Sequence, residues 1–284
     1  MMPVLFELHL FGWDLSLPTY GTLLAAAFLA ALWMSIRLAR RVDMDTTLVT
    51  DVWITSLIAG VLGSKLLLIL LDLPDYIAHP WALVTSLRSA GVFYGGLIAA
   101  IVACLVLVRR RGVNGWVVAD VVAPAIMLGQ AVGRWGCFAA GCCWGTSTSL
   151  PWAVTFTNPK AHDITGVPLN VPLHPVQIYL SLADLAAFFI LLWINARRKF
   201  TGQVILSYLI LYALLRGVLE AFRGDPRGEV AGLSTSQVIS IIVGVVALVL
   251  YIWRSRQPGA AVTSSSVPDR PRGGGKRRKE APAP

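Results

Sequence analysis

Seven apolar runs, at about 18–36, 48–71, 91–108, 116–133, 177–195, 203–219 and 237–253, constrain this chain more than any other feature. Each offers roughly 17–24 residues, against the ~20 that an α-helix rising ~1.5 Å per residue needs to cross ~30 Å of hydrocarbon. Within lipid every backbone N–H and C=O must be satisfied by protein, so a spanning segment is either a helix or part of a closed barrel. The runs lack the period-2 alternation of barrel strands, and seven helices follow. At 56% hydrophobic and 14% charged, the 284-residue chain has the composition of a membrane protein, not of a soluble domain. The fold class is therefore all-α integral membrane protein. No internal repeat of fixed period is evident, so a repeat-built transporter gains no support.

Orientation is read from the basic clusters. Arg37, Arg40 and Arg41 follow the first run, Arg109, Arg110 and Arg111 the third, and Arg197, Arg198 and Lys199 the fifth. A basic tail follows the seventh. All four fall on one side, which the positive-inside rule makes cytoplasmic. This predicts the N-terminus outside, the C-terminus inside, and the 72–90, 134–176 and 220–236 loops outside. Residues 254–284 hold eight Lys/Arg against Asp269 and Glu280, so +6 of the net +9 lies there. Rich in Ser, Pro, Gly and Lys/Arg from Thr263 onward, this tail is expected to be disordered and to sit on anionic lipid of the cytoplasmic leaflet, with no role for nucleic acid. Residues 1–253 form the membrane domain. No Lys or Arg precedes Arg37, so the positively charged start of a cleavable signal peptide is not expected.

The outer side carries the unusual chemistry. The stretch Gly133-Arg134-Trp135-Gly136-Cys137-Phe138-Ala139-Ala140-Gly141-Cys142-Cys143-Trp144-Gly145 opens its longest loop. An arginine at a helix mouth is costly without an anion, and lipid phosphate is the abundant anion at that depth, although an isolated arginine can also snorkel to the headgroups. The 134–176 loop is too long for a bare connector. Its run Pro151 to Phe156 alternates as a short strand does, so a small extracytoplasmic head over the helix mouths is expected. Tyr20-Gly21 and Phe93-Tyr94-Gly95-Gly96 mark two helix entrances, where an interfacial anchor and a helix-packing glycine pair are the plain alternatives to ligand binding. His174-Pro175 precedes Gln177 and Tyr179. Arg216, Glu220 and Arg223, spaced four and three, share one helical face, and two arginines against one carboxylate leave a positive charge for an external anion. Cys104 lies in the third run as a small hydrophobe. Cys137, Cys142 and Cys143 lack the usual paired zinc spacing; a disulfide, a soft-metal site completed by His174 and a direct catalytic role all remain open.

These landmarks together, in this order, resemble bacterial prolipoprotein diacylglyceryl transferases over roughly residues 13–253. The resemblance implies a multi-pass enzyme of the bacterial plasma (inner) membrane with its active site on the extracytoplasmic side. It implies transfer of the diacylglyceryl group of phosphatidylglycerol to the lipobox cysteine of a prolipoprotein signal peptide, without cofactor or metal. The family's signature arginine maps onto Arg134 and its second essential arginine onto Arg216. Where the family motif usually reads Gly-Asn-Phe-x-Asn-Gly-Glu, this chain has Cys137, Ala140 and Cys142 in place of the two asparagines and the glutamate. The histidine common before the glycine pair is Tyr94, and the Tyr-Glu that usually follows His-Pro-x-Gln is Tyr179-Leu180.

The residues suit that chemistry. Arginine grips phosphate oxygens through a planar two-point fork and stays charged. Arg134 and Arg216 are the expected phosphate clamp, with Glu220 orienting Arg216. Tyr20, Gly95, Gly96 and Arg223 complete the expected phospholipid site. His174 is the expected base, an imidazole being suited to accept a thiol proton near neutral pH, and Tyr94 a hydrogen-bond donor to the lipid. Two other classes fit the same residues: a lipid-handling paralogue that alkylates no thiol, and a membrane thiol-redox or metal-binding protein built on the cysteines.

Overall fold

The computed structural model describes residues 4–10, 13–79, 81, 91–225, 228–230 and 232–260. The hairpin β1 (Val4–Leu10) and β2 (Trp13–Pro18) leads into α1 (Thr19–Arg41). Then come α2 (Thr46–Leu71), the short α3 (Leu73–Ala78), α4 (Phe93–Arg110) and α5 (Gly115–Ala140). A head containing β3 (Val154–Thr155), α6 (Pro159–Thr165) and β4 (Pro172–Leu173) separates α5 from α7 (Val176–Ala196) and α8 (Gln203–Leu219). A 3-10 turn (Glu220–Phe222), the strands β5 (Glu229–Val230) and β6 (Leu233–Ser234), and α9 (Thr235–Ser255) complete the bundle. Among the described residues seven helices, α1, α2, α4, α5, α7, α8 and α9, are long and apolar enough to span a bilayer, as the apolar runs predict.

The differences lie at the ends. The fourth apolar run stops at residue 133, yet α5 continues to Ala140, so Arg134 stands inside the helix and not at a loop mouth. The head begins only after it. The expected strand over 151–156 shortens to two residues, β3, paired with β4. The hairpin β1–β2 is not among the expected elements, although Phe6 to Leu10 and Trp13 to Leu17 alternate apolar and polar residues as strands do, and the helices α3 and α6 are too short to show a period. Arg88 and the tail beyond residue 260 lie outside the described residues.

α5 is the hub, packing against α1, α7 and α8. Half of its spanning window is buried, compared with 6% for α2. One core gathers Leu38, Val49, Val108, Val117 and Val121 at the basic end of α1, α2, α4 and α5. A second joins Met127 of α5 to Phe188 and Leu191 of α7 and Tyr208 of α8. Leu57, Leu62, Leu66, Ile98, Val245 and Val249 point outward, where lipid takes the place of protein.

Two devices hold the helices at close range. Gly63 of α2 and Gly95 and Gly96 of α4 face each other so tightly that a Cβ on any of them would overlap the opposite backbone or side chain. At the basic end, Asp120 of α5 is fully buried and accepts from the backbone N–H groups of Gly202 (2.7 Å), Val204 (3.0 Å) and Ile205 (3.0 Å). It thereby caps α8 from a neighbouring helix, satisfying donors that a helix start leaves open. Replacing Asp120 by Ala strands these donors, and each bond to a charged acceptor contributes ~1.5–3 kcal/mol. Asp120→Ala is therefore expected to cost about 3 kcal/mol or more and Asp120→Asn clearly less. Thermal melts in detergent check this; equal melts for both variants would remove the cap from the account.

Candidate active site

The site end of the bundle is assembled on the last turns of α5. Gly129 and Gly136 lie on the face turned to α1: a Cβ at Gly129 would sit 3.2 Å from Ala31 Cβ, and one at Gly136 3.3 Å from Tyr20. This close approach sets Tyr20 beside the Arg134–Cys143 stretch, and Arg134 lies off the glycine face. Gly141, at φ 79°, ends the helix in the left-handed conformation that a residue without Cβ adopts readily.

Arg134 projects to α7, where its Nε lies 3.9 Å from Asp184 Oδ2. That is an ion pair beyond hydrogen-bond range. Among the described residues the Arg134 guanidinium spends none of its donors on a hydrogen bond, although its side chain is only 19% exposed. Asp184 is buried and interacts electrostatically with Arg216 as well as Arg134. One carboxylate in α7 therefore links the two arginines that the sequence pairs as a clamp.

Arg216 Nη1 is 3.1 Å from Glu220 Oε2, and its Nη2 donates to Ser236 Oγ at 3.0 Å. Ser234 Oγ donates to Glu220 Oε1 at 3.0 Å. The same serine caps α9 in a reciprocal box with Gln237. Arg223 Nε lies 3.8 Å from Glu220 Oε2. It also forms a two-point pair with Asp225, both bonds 2.9 Å. The expected surplus of one positive charge is therefore corrected. With Asp184 and Asp225 included, three carboxylates face three arginines. The helix also ends at Leu219, so the triad runs from α8 into the 3-10 turn.

Three chain segments cross above these charges. Thr146 N–H donates to Phe222 O (2.9 Å), Gly224 N–H to Trp144 O (3.1 Å) and His174 N–H to Thr146 O (3.0 Å). Gly145 and Gly224 are required by this crossing: a Cβ on Gly145 would overlap His174, and one on Gly224 would lie 2.8 Å from Gly145 O. His174 is packed edge-on to Phe222, with ring centroids 5.3 Å apart. Its Nδ1 is 3.3 Å from Tyr179 Oη, which accepts from Trp152 Nε1 at 2.7 Å. Gln177 Nε2 donates to Cys142 O (2.8 Å), so the glutamine of the His-Pro-x-Gln run holds the cysteine loop in place. Beneath lies the head core of Phe156, Ala161, Val167 and Leu173.

The sulfurs of Cys137, Cys142 and Cys143 lie within 4.8 Å of one another. Hydrogen bonds from Cys137 and Cys142, then the charge of Arg223, hold the Cys143 thiol far below its ordinary pKa. Hydrogen bonding to Cys137 and Cys143, with burial, pushes Cys142 well up. Burial lowers the Arg223 pKa, but its two bonds to Asp225 and the nearby Cys143 outweigh that and raise it, so it stays cationic.

Arg134, Arg216, Glu220, Arg223, His174 and Tyr20 are thus gathered at one end of the bundle. Tyr94 stands apart: 44% exposed at the mouth of α4, it stacks edge-on to Phe93. Gly95 and Gly96 hold α4 against α2. Asp184, Asp225, Ser234 and Ser236 are the site-end residues missed in the sequence. A carboxylate inside an apolar run is a strong signal, and Asp184 offers it. Asp225 offers none beyond being polar in a loop.

The comparisons with known proteins agree with this architecture. The family model described as prolipoprotein diacylglyceryl transferase matches residues 3–253. A phosphatidylglycerol–prolipoprotein diacylglyceryl transferase of Clostridium tetani is 38% identical over 86% of this chain and 96% of its own length. A protein of the same name from Finegoldia magna is 30% identical, covering 87% of this chain and 94% of the relative.

The shared carboxylate generates a test. Asp184 competes with any anion that approaches Arg134 and Arg216. Removing one partner of a buried pair typically costs ~3–5 kcal/mol, less where the pair is as long as here. Asp184→Asn is expected to lower the melting temperature of the ligand-free protein and to enlarge the stabilisation that an anionic phospholipid gives. Melts with and without lipid check both signs. A smaller lipid-dependent gain than in the wild type would show that Asp184 assists the anion and does not compete with it.

Proposed function

The chain belongs to the prolipoprotein diacylglyceryl transferase family, and on that premise we propose that it transfers the diacylglyceryl group of phosphatidylglycerol to a prolipoprotein cysteine thiol. In this reaction the bond from the glyceryl carbon to the phosphate oxygen breaks and a carbon–sulfur bond forms. Glycerol phosphate leaves with the electron pair, and the thiol proton goes to a base. The observation that carries the reading is Arg134: a mostly buried guanidinium that makes no hydrogen bond among the described residues, beside an arginine held by Glu220 and Ser236. A guanidinium with little access to solvent gains from an acceptor, and phosphate oxygens fit the fork at two points. As the ester bond breaks, negative charge grows on the phosphate. Donors already in position stabilise that change more than they stabilise the ground state.

The thiolate is the nucleophile, and a free cysteine at a pKa of ~8.5 supplies only a few per cent of it at neutral pH. His174 is the proposed base. With Nδ1–H donating to Tyr179 Oη, the Nε2 lone pair is open to a thiol proton, and Trp152 steadies the tyrosine oxygen from the other side. Cys142 stands where the family motif carries a glutamate. Its thiol donates to Cys137 O (3.7 Å), so no carboxylate base is supplied at that position. Glu220 orients Arg216, and Tyr20, Arg223, Gly95, Gly96 and Tyr94 remain the proposed outer contacts of the lipid and its donor groups. The proposed setting is the bacterial plasma membrane, active site outward, with Arg37, Arg109 and Arg197 on the cytoplasmic side and the basic tail on anionic lipid.

Two experiments test this. In a bacterium depleted of its own transferase, the wild-type chain is expected to restore lipidation of a model prolipoprotein. Arg134→Lys and Arg216→Lys, which keep the charge and lose the planar fork, are expected to lower transfer about 10²-fold or more while inserting normally. The double variant should fall far short of the product of the two, since both act on one phosphate. Wild-type rates in both single variants would remove the clamp. For orientation, a reporter fused after Val262 is expected to be active only in the cytoplasm; activity outside would put the arginine site on the inner face.

A further inference from the structure

Three thiols converge at the end of α5, and the transfer reaction proposed above gives none of them a role. α5 places Cys137 on its last turn, Gly141 stops the helix, and the chain doubles back so that Cys142 and Cys143 return their sulfurs to Cys137. The return holds Cys143 at φ 61°, a left-handed conformation that a residue with a Cβ adopts at a cost. Strain of that kind persists only where surrounding contacts impose it. Here they include Gln177 on the Cys142 carbonyl and the Gly145–Arg223 bridge just downstream.

We propose that Cys137, Cys142 and Cys143 form a three-sulfur site for a soft, closed-shell metal cation of the Cu(I) type. This departs from the metal-free expectation raised by the family resemblance. Three points carry it. First, a metal at ~2.3 Å from each of three coplanar sulfurs places them ~4.0 Å apart. The three sulfurs already lie within 4.8 Å of one another, so a shift of well under an ångström for each would close the set. Second, thiolates are the ligands that soft cations prefer, and three sulfurs with no carboxylate among them favour Cu(I) over hard ions such as Mg(II) or Ca(II). Third, three thiolates around a monovalent ion carry a net −2, and guanidinium groups stand on two sides. Arg223 interacts electrostatically with Cys143, and Arg134 with Cys137. Binding is balanced by release to solvent of whatever thiol protons the three sulfurs still carry, with no change of oxidation state.

The inference is independent of the transferase reading, because its measurement is metal binding and not transfer. Reduced full-length protein in detergent is titrated anaerobically with Cu(I) held by a competing chelator, with Zn(II) in parallel. One equivalent of Cu(I) is expected to bind, with a near-ultraviolet thiolate-to-metal absorption. The same equivalent should protect three of the four cysteines from alkylation, leaving Cys104 as reactive as before. Cys104→Ala is expected to bind as the wild type does, and Cys142→Ser or Cys143→Ser to bind at least 100-fold more weakly. The protection pattern is read on the unaltered chain, so a variant that fails to fold does not remove the test. Absence of binding, protection that excludes any of the three, or undiminished affinity in Cys137→Ser/Cys142→Ser/Cys143→Ser would overturn the site. So would a disulfide between two of them in protein extracted from membranes without reductant, and tighter binding of Zn(II) than of Cu(I) would overturn its class.

Discussion

A guanidinium in the dry part of a helix bundle must have its charge answered by something within a few ångströms. That single requirement organises the end of this molecule where the chemistry is gathered. Arg223 meets it fully, with two hydrogen bonds to Asp225. Arg216 meets it through Glu220 and a serine. Arg134 meets it only in part, through a carboxylate 3.9 Å away that it shares electrostatically with Arg216. The gradation is informative: the arginines grow progressively less committed from the loop inward, and the least committed one belongs to the most buried helix. A ligand phosphate would find two of the three already immobilised and the third ready to turn. Arrangement before the ligand arrives is what makes such donors effective, because little reorganisation remains to be done.

The scaffold that allows this is asymmetric. α2 and α4 clasp each other through glycines and turn most of their surface to lipid, while α5 is enclosed by α1, α7 and α8. Lipid tails are as apolar as leucine, so burial of apolar area drives helix association weakly here. Close backbone contact and specific polar bonds do more. The glycine clasp is the first kind of contact and the Asp120 cap the second.

How much of this the amino-acid sequence discloses depends on the length scale of the signal. A spanning helix repeats its message over some twenty residues, and all seven are legible. Their ends are less so: α5 runs on through Arg134, Gly136 and Cys137 because tertiary contacts with Tyr20 and Asp184 support turns that composition alone would end. The arginines, His174 and Glu220 are legible because motif and helix spacing name them together. Asp184 is visible as an anomaly, a carboxylate in an apolar run, but its partners lie fifty and thirty-two positions away along the chain (184 − 134 and 216 − 184). The three-sulfur cluster is ambiguous in one dimension, since the spacing Cys137, Cys142, Cys143 fits a disulfide as well as a trio. The left-handed turn at Cys143 that gathers them has no sequence signature, because left-handed backbone is ordinarily announced by glycine or asparagine.

The carboxylate that caps α8 also bears on the order in which the molecule can be assembled. Asp120 belongs to a helix made some eighty residues before the donors it receives, from Gly202 to Ile205. During synthesis the acceptor is therefore already in place when the amino end of α8 emerges, and the late helix docks on a receptor that the early one has brought into the membrane. The reverse order, with α8 free and its first N–H groups seeking water, never has to exist. A circularly permuted chain that made α8 before α5 would contain every contact of the native protein and still meet a difficulty that the native chain avoids by the direction in which it is written.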